Sequence, residues 1–381
     1  IIFSLNKNKT YLEFYPQKKE TFIYQKEQLG TGHALQTAAP ILKGHGLKWC
    51  LVVNGDTPLI STEAISKFAE HAVKEDCDIG FMSLQLSDPG SYGRVVRKNG
   101  GDPVAIVEAK DYSQEVHGID TGEVNTGIYI FKLQAVLPLL EKLSCDNKQH
   151  EYYITQLVDL GVENNLKIFA QSCGDDPSYL GVNNAAELVY CEEILRSRII
   201  NKWLQKGVII RASDSVRIGP EAVFEPGSEV VGPVEIYGKC RIAEGSKIGS
   251  HCFLEDAEIG EHSVIDSFSH LYMAKFGDNC KVGPFARLTP GTELGQSARI
   301  GNFVEVKNSS LGKSSKANHL AYLGDTSVGE NCNIGAGTIT CNYDGKQKHR
   351  TLLGDEVFVG SSTSLVAPLK IGNQALIGAG S

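Results

Sequence analysis

One histidine stands out as a group that could move a proton. His319 lies in Lys316-Ala317-Asn318-His319-Leu320-Ala321-Tyr322-Leu323-Gly324-Asp325, inside a stretch whose repeating pattern has no need of an imidazole. A neutral imidazole titrating near pH ~6.5 is suited to take a proton from an amine nucleophile. Lys307, Tyr322, Asn333, Asn342 and Tyr343 fall in neighbouring repeats or in one inserted loop, so polar partners would gather round it. A second candidate is Asp56. It follows the short apolar run Trp49-Cys50-Leu51-Val52-Val53 and Asn54-Gly55. A carboxylate at a strand end can hold Mg²⁺, which prefers oxygen ligands and shares them with phosphates, or it can cap the segment that follows. Gln28-Leu29-Gly30-Thr31-Gly32-His33-Ala34 is a Gly-rich loop ahead of a helix, where backbone N–H groups can approach a phosphate or a base edge. Gly93, Glu108, Asn125 and Asn183 each place polar or flexible groups beside expected strands.

Two kinds of scaffold must position these groups. From Ile218 onward, apolar residues recur every six positions: Phe224, Val230, Ile236, Ile242, Ile248 and Leu254. The series slips by one at Ile259, Leu311 and Val328 and resumes each time, ending on Leu353, Val359, Leu365, Ile371 and Ile377. A helix needs an apolar spacing of 3.6 and a strand a spacing of 2. Six fits a short strand plus a tight corner, three to a triangular coil, with the coils stacked by parallel pairing. Between Ile334 and Leu353 the rhythm breaks, and Cys341 to Arg350 is expected to loop out of one face. Gly beside the key apolar residue is expected to relieve the backbone at the corners.

Residues 1–182 lack this period. The run Trp49–Val53 reads as a buried parallel strand. Ser61 opens a helix with Ile65, Phe68, Ala69, Ala72 and Val73 on one face, and Ile79–Leu84 reads as the next strand. The alternation predicts an α/β Rossmann-like sheet with ligands at strand ends. Residues 183–207 form a linking helix, with Leu188, Cys191, Leu195, Ile199 and Trp203 on one stripe and Gly207 as its stop. The expected domains are therefore 1–182, the linker 183–207, and the solenoid 208–381.

Composition narrows the function. A net charge of −8 leaves no basic surplus for nucleic acid. No run of 18 apolar residues suggests a membrane span. Ten scattered cysteines without a CxxC pair read as free thiols of a reducing cytoplasm. The chain opens at Ile1 and stops at Ser381 inside a repeat, which reads as a piece of a longer protein.

Taken together, the chain resembles the bacterial bifunctional N-acetylglucosamine-1-phosphate uridyltransferase / glucosamine-1-phosphate acetyltransferase family. The likeness rests on Gln25 to Ala34, Gly55-Asp56-Thr57-Pro58-Leu59, Tyr92-Gly93-Arg94, Val107-Glu108, Asn125-Thr126-Gly127, Glu151 to Thr155 and Gly181 to Asn184. In the solenoid it rests on Val282 to Arg287, Gly301 to Lys307, His319 to Asp325 and Asn333 to Gly345. The resemblance implies a nucleotidyltransferase domain followed by a left-handed parallel β-helix in a cytoplasmic homotrimer. The first domain would join UTP and N-acetylglucosamine 1-phosphate into UDP-N-acetylglucosamine and pyrophosphate. Gln25, Gly30, Thr31, Asn54, Gly55, Asp56, Gly93, Glu108, Asn125, Tyr153, Thr155 and Asn183 would hold the nucleotide sugar, with Mg²⁺ on Asp56 and Asn183. The solenoid would transfer an acetyl group from acetyl-CoA to glucosamine 1-phosphate with His319 as base. Lys307, Tyr322, Arg287 and Thr289 would serve the sugar phosphate. Ala336, Ser361 and Ala379 would serve acetyl-CoA. Asn333, Asn342 and Tyr343 would each serve one or the other of these two substrates.

The chain departs from the family in four ways, the first being that the family's C-terminal tail, with a basic CoA contact, would follow Ser381. The family's opening Gly-rich loop, with its Arg and Lys, would precede Ile1, so the chain as it stands is expected to lack uridyl transfer. Asn54 replaces a usual Tyr. Thr289 replaces an Arg that pairs with the sugar phosphate, and Arg287 is the residue that could stand in. Two rivals remain: a nucleotidyltransferase whose solenoid only oligomerises or regulates, and a non-catalytic sugar-nucleotide-binding subunit.

Overall fold

The computed structural model describes residues 2–5, 21–98 and 101–381; Ile1, where the chain opens, lies outside them. The chain divides into two compact units, 1–191 and 192–381. The boundary falls inside the expected linking helix.

In the first unit β1 (Ile2–Leu5) pairs in parallel with β2 (Thr21–Tyr24). Then come α1 (Thr31–Gly44), β3 (Trp49–Val53), α2 (Thr62–Lys74), β4 (Ile79–Gln85), β5 (Arg94–Arg97), β6 (Pro103–Val107), β7 (Glu123–Lys132), α3 (Gln156–Glu163), β8 (Ile168–Ser172) and α4 (Ala185–Gln205). The main sheet runs β6-β5-β7-β4-β8, with β3 also on β7. It is mixed. β4 and β8 are parallel, while β7 is antiparallel to β3, β4 and β5. The parallel strand expected at Trp49–Val53 is thus antiparallel and half-exposed, with Leu51 and Val53 on the surface. An unbroken apolar run encodes burial but not strand direction, and here the partner is the ten-residue β7.

Helices cover both faces. Phe81, Tyr129, Phe131, Leu157 and Val158 pack on one side, and Phe68, Ala72, Met82, Ile128 and Ile130 on the other. The Ser61 hydroxyl accepts the Ala64 N–H at 3.1 Å, so α2 starts where its cap predicts. Phe68 and Ala72 are fully buried, the Phe68 side chain contributing about 1.5–3 kcal/mol. Val73, expected on the same face, is exposed. In α4, Cys191 and Trp203 are buried while Leu188 and Leu195 are exposed, and Gly207 ends the helix at φ +85°.

On α3, Asp159 carries a carboxyl that burial pushes up to about 7, and its buried Oδ1 has no partner among the described residues. A raised carboxyl pKa makes folding progressively costlier as pH climbs from the unfolded value of ~3.9 through the folded one. Asp159→Asn should therefore stabilise the first unit by about 1–3 kcal/mol above pH 7, with a smaller gain at pH 5. Urea unfolding followed at Trp49 in a Trp203→Phe background measures this. An equal gain at both pH values would refute it.

The second unit is a solenoid of three parallel sheets of nine, nine and ten strands. Partner strands lie 17 or 18 residues apart, as in Ile236↔Leu254 and Leu254↔Leu271. The slips in the six-residue rhythm are coils one residue shorter, and the ladder continues across them. Every periodic apolar stop from Ile218 to Leu365 is buried, while Ile371 and Ile377 are half-buried. Around the insertion, Thr340 pairs with Leu365, 25 residues on. The expected loop is there. The hexapeptide pattern and the all-parallel ladder are those of the left-handed β-helix.

The corners differ from expectation in one respect. The left-handed backbone positions are taken mostly by other residues, among them His251, Phe268, Phe285, Phe303 and Leu320. The glycines serve close approach instead: a Cβ on Gly301 would lie 1.9 Å from the Asn318 carbonyl oxygen. His251, Phe268, Phe285 and Phe303 stack along one corner, with centroids 4.6, 4.9 and 5.2 Å apart, and the three phenylalanines are exposed.

Candidate active sites

In the first unit the site follows from how β7 divides its neighbours. β4 holds one edge of β7 throughout. The other edge is shared: β3 pairs as far as Val53↔Ile128, and β5 begins at Arg94↔Val124. Asn125-Thr126-Gly127 therefore faces a fork, with Asn54 leaving one prong and Gly93 entering the other. Asn125 N–H donates to Gly93 O at 2.8 Å. Gly127 is at φ +78°, and a Cβ there would lie 2.2 Å from Asn54 Nδ2, so only glycine lets Asn54 settle in the fork. A Cβ on Gly93 would lie 3.5 Å from Glu108 Oε2. Glu108 Oε1 accepts from Thr155 Oγ1 at 3.1 Å, and burial holds its carboxyl above the usual range. Gly93, Glu108, Asn125 and Thr155 are brought together.

The Gly-rich loop is strapped to the segment holding Tyr153 and Thr155. Tyr152 N donates to Leu29 O at 2.7 Å, Gly32 N to Tyr152 O at 2.7 Å, and Ile154 N to Thr31 Oγ1 at 3.1 Å. Gln25 Nε2 reaches Gly30 O at 3.0 Å and His33 Nδ1 at 2.8 Å. Tyr153 Oη accepts from Gln149 Nε2 at 2.8 Å.

Asp56 is exposed beyond Gly55, and its backbone carbonyl accepts the Val182 N–H at 2.8 Å. A Cβ on Gly181 would lie 3.3 Å from Asp56 Oδ2. The exposed Asn183 follows directly, its N–H donating to Glu187 Oε2 at 2.6 Å. Tyr92, which the sequence did not single out for a role, locks this crossing: its hydroxyl accepts the Gly181 N–H at 3.0 Å.

In the solenoid, Asn302 and His319 are register partners. His319 Nδ1 meets Asn302 Oδ1 at 2.9 Å; an amide oxygen only accepts, so Nδ1 carries a proton and the neutral form of the ring has its lone pair on Nε2. Asn302 is a site residue the sequence reading missed. Its signal was the 17-residue coil, which puts an asparagine beneath the histidine. The same corner continues upward. Ser362 N–H donates to Ala336 O at 2.7 Å and Gly380 N–H to Ser361 O at 2.8 Å. Asn302, His319, Ala336, Ser361 and Ala379 thus mark one edge of the solenoid.

The adjoining sheet carries two outward columns. Arg287, Glu305 and Tyr322 are stacked partners; so are Lys307 and Gly324. Thr289 is buried, its hydroxyl turned to Val306 O at 3.3 Å, while Arg287 is exposed and meets Glu305 at 3.8 Å. A Cβ on Gly324 would lie 2.4 Å from Tyr322 Oη and 2.8 Å from Asn342 Nδ2, so the tyrosine hydroxyl and the amide meet over this glycine. Asn333 lies on the sheet across the His319 corner, paired with Lys316. Tyr343 is exposed on a loop closed by Asp344, whose carboxylate takes the Lys346 and Gln347 N–H groups at 2.8 Å each and His349 Nε2 at 2.7 Å. The Gln347 N–H leads these contacts in holding Asp344 down at about 2.

A strand-end carboxylate and a strapped Gly-rich loop in one unit, followed by a hexapeptide solenoid with a histidine on its edge, define a two-part transferase. Residues 4–175 match the model described as Nucleotidyl transferase, and 325–345 that described as Hexapeptide repeat of succinyl-transferase. The chain is 51% identical over 369 residues to the bifunctional protein GlmU of Nitratidesulfovibrio vulgaris strain DSM 19637 / Miyazaki F, covering 97% of this chain and 80% of the relative. It is 48% identical to that of Oleidesulfovibrio alaskensis and 46% to that of Lawsonia intracellularis, each over 94% of this chain and 78% of the relative. The chain belongs to the bifunctional GlmU family. All ten cysteines are free, with burial pushing Cys240, Cys252 and Cys280 up to about 11. Among the described residues, no helix is long and apolar enough to cross a membrane.

Proposed function

We propose that the solenoid transfers the acetyl group of acetyl-CoA to the amine of glucosamine 1-phosphate, and that the first unit joins the product to UTP, giving UDP-N-acetylglucosamine and pyrophosphate in the cytoplasm. The observation that carries the first half is the anchored His319. With Nδ1–H engaged by Asn302, the lone pair is on Nε2, the state a general base requires. The amine nitrogen attacks the thioester carbonyl, a C–N bond forms and the C–S bond breaks. His319 Nε2 takes the ammonium proton as the thiolate leaves. Acetyl-CoA would lie along the edge marked by Ala336, Ser361 and Ala379. Lys307, Tyr322 and Asn342 would hold the sugar phosphate. The test is thiol release from acetyl-CoA in the presence of glucosamine 1-phosphate; no release by the wild-type protein would overturn the reading.

For the second half, Asp56 and Asn183 offer hard oxygen donors on two segments pinned together by the Val182–Asp56 hydrogen bond. That donor set suits Mg²⁺, which takes one or two protein oxygens and completes its shell with phosphates and water. Bound there, the ion would offset charge developing on the α-phosphate. Gln25, Gly30 and Thr31 would receive the uracil, and Asn54, Gly93, Glu108, Asn125, Tyr153 and Thr155 the sugar side.

Arg287 is proposed to serve the sugar phosphate in place of Thr289, supported by its exposure beside the Lys307 column and its loose 3.8 Å pairing with Glu305. Arg287→Ala should raise KM for glucosamine 1-phosphate about tenfold or more, the worth of a charge-assisted hydrogen bond, with KM for acetyl-CoA unchanged. Steady-state kinetics decide, and an unchanged sugar-phosphate KM would remove Arg287 from the site. A homotrimer is proposed as well, supported by the exposed Phe268, Phe285 and Phe303 ladder. A monomer mass on sedimentation would refute it.

A further inference from the structure

One ionisable group of the solenoid lies behind the site and has no role in the chemistry above. Asp325 is buried, at φ +49°, on the corner above Asn308. Its Oδ1 accepts from Asn308 Nδ2 at 2.5 Å and its Oδ2 from Asn342 Nδ2 at 2.6 Å. No lysine or arginine pairs with it among the described residues. Its backbone carbonyl accepts the Thr351 N–H at 3.2 Å, so Asp325 ties down both ends of the inserted loop.

A buried carboxylate is costly unless it is well hydrogen-bonded, and two short amide contacts supply that bonding. Being an acceptor only, it also settles which way each neighbouring carboxamide faces. Asn342 must turn its NH₂ inward. Its Oδ1 has no protein partner among the described residues and is not a buried orphan, so it reaches solvent, in the residue that meets Tyr322 over Gly324.

We propose that Asp325 is a positioning residue of the acetyl-transfer site: by capturing the Asn342 NH₂, it presents Asn342 Oδ1 as a fixed acceptor for an N–H or O–H of bound substrate. This rests on the acetyltransferase reading. The donor comes either from the amine and hydroxyls of the sugar or from the amide N–H groups of the coenzyme arm.

The polarity of these contacts can be reversed by substitution. In Asp325→Asn, the new amide takes the Asn308 donor on its oxygen and points its own NH₂ at Asn342. Asn342 must then flip and offer NH₂ outward. In the exchange variant Asp325→Asn/Asn342→Asp, the Asn308 contact keeps its direction, the contact between positions 325 and 342 is kept with donor and acceptor reversed, and an acceptor again faces substrate.

KM for glucosamine 1-phosphate and for acetyl-CoA would be measured separately by thiol release, with melting temperature recorded alongside. The expected result is a rise of about tenfold in one KM for Asp325→Asn, with kcat within about threefold, and return to within about threefold of wild type in the exchange variant. Which KM moves identifies the donor. Unchanged KM values in Asp325→Asn, or an exchange variant no better than the single one, would overturn the proposal. If Asp325→Asn does not fold, the exchange variant decides alone, a tenfold loss counting against the proposal. Absence of wild-type turnover overturns the acetyltransferase reading and this inference with it. Wild-type turnover with unmoved KM values overturns this inference only.

Discussion

His319→Ala should lower acetyl transfer by about 10²–10⁴-fold, the range of a removed general base, while thermal stability stays close to wild type. The side chain is exposed and, among the described residues, its hydrogen bond is with Asn302, so removing it leaves no cavity. Asn302→Ala should do less, up to about tenfold in kcat, since it deletes one neutral hydrogen bond worth about 0.5–1.5 kcal/mol. The order of the two effects matters. Asn302 keeps the proton on Nδ1 and fixes the ring, yet Nε2 can still act when the ring is less constrained. Thiol release at saturating acetyl-CoA and glucosamine 1-phosphate reads both variants. If His319→Ala kept most of the activity, the solenoid would need another base or would bind an amine already deprotonated. If Asn302→Ala were as damaging as His319→Ala, the asparagine would touch substrate and not merely its neighbour.

The solenoid was legible because its physics is periodic. One inward side chain per six residues leaves a trace that survives slips of one residue, since the core needs the apolar group and not the register number. Its proposed site stands out for the opposite reason: His319 and the Cys341–Arg350 excursion break a pattern that is otherwise strict. Asn302 was missed because pairing across coils depends on local coil length, which is 17 residues at that point and 18 in the coil before it. Asp325 was missed because an aspartate at a corner looks like an ordinary turn residue until its two amide partners are in place.

In the first unit the sequence located strands and the cap at Ser61, but not the antiparallel insertion of β7. Strand direction is set by tertiary pairing, and the fork at Asn125–Gly127 that gathers Asn54, Gly93 and Glu108 exists only because β3 and β5 share one edge of β7. Tyr92 belongs to the same class of omission. Its hydroxyl meets Gly181, 89 residues away, and no local pattern announces that contact.

In the full-length protein, Asp56→Ala should abolish uridyl transfer, with a loss of at least about 10²–10³-fold, the worth of one group stabilising charge in a phosphoryl transition state, and leave acetyl transfer untouched. Asp56 supplies the only full negative charge of the proposed pair, and Asn183 a neutral carboxamide oxygen. Nothing else in this crossing can replace the charge, because Glu187 is committed to the backbone of Asn183 and to Asn184. A cation stripped of its anionic ligand keeps only the substrate's phosphates and water, and its affinity must fall. Binding of Mn²⁺ in the presence of UTP, followed by electron paramagnetic resonance, would report that loss without reference to turnover. Asp56 is exposed and its side chain supports no part of the core, so the variant should fold. Retained Mn²⁺ affinity would move the metal away from Asp56. Loss of acetyl transfer in a folded variant would mean that the two sites, one in each compact unit, are not independent.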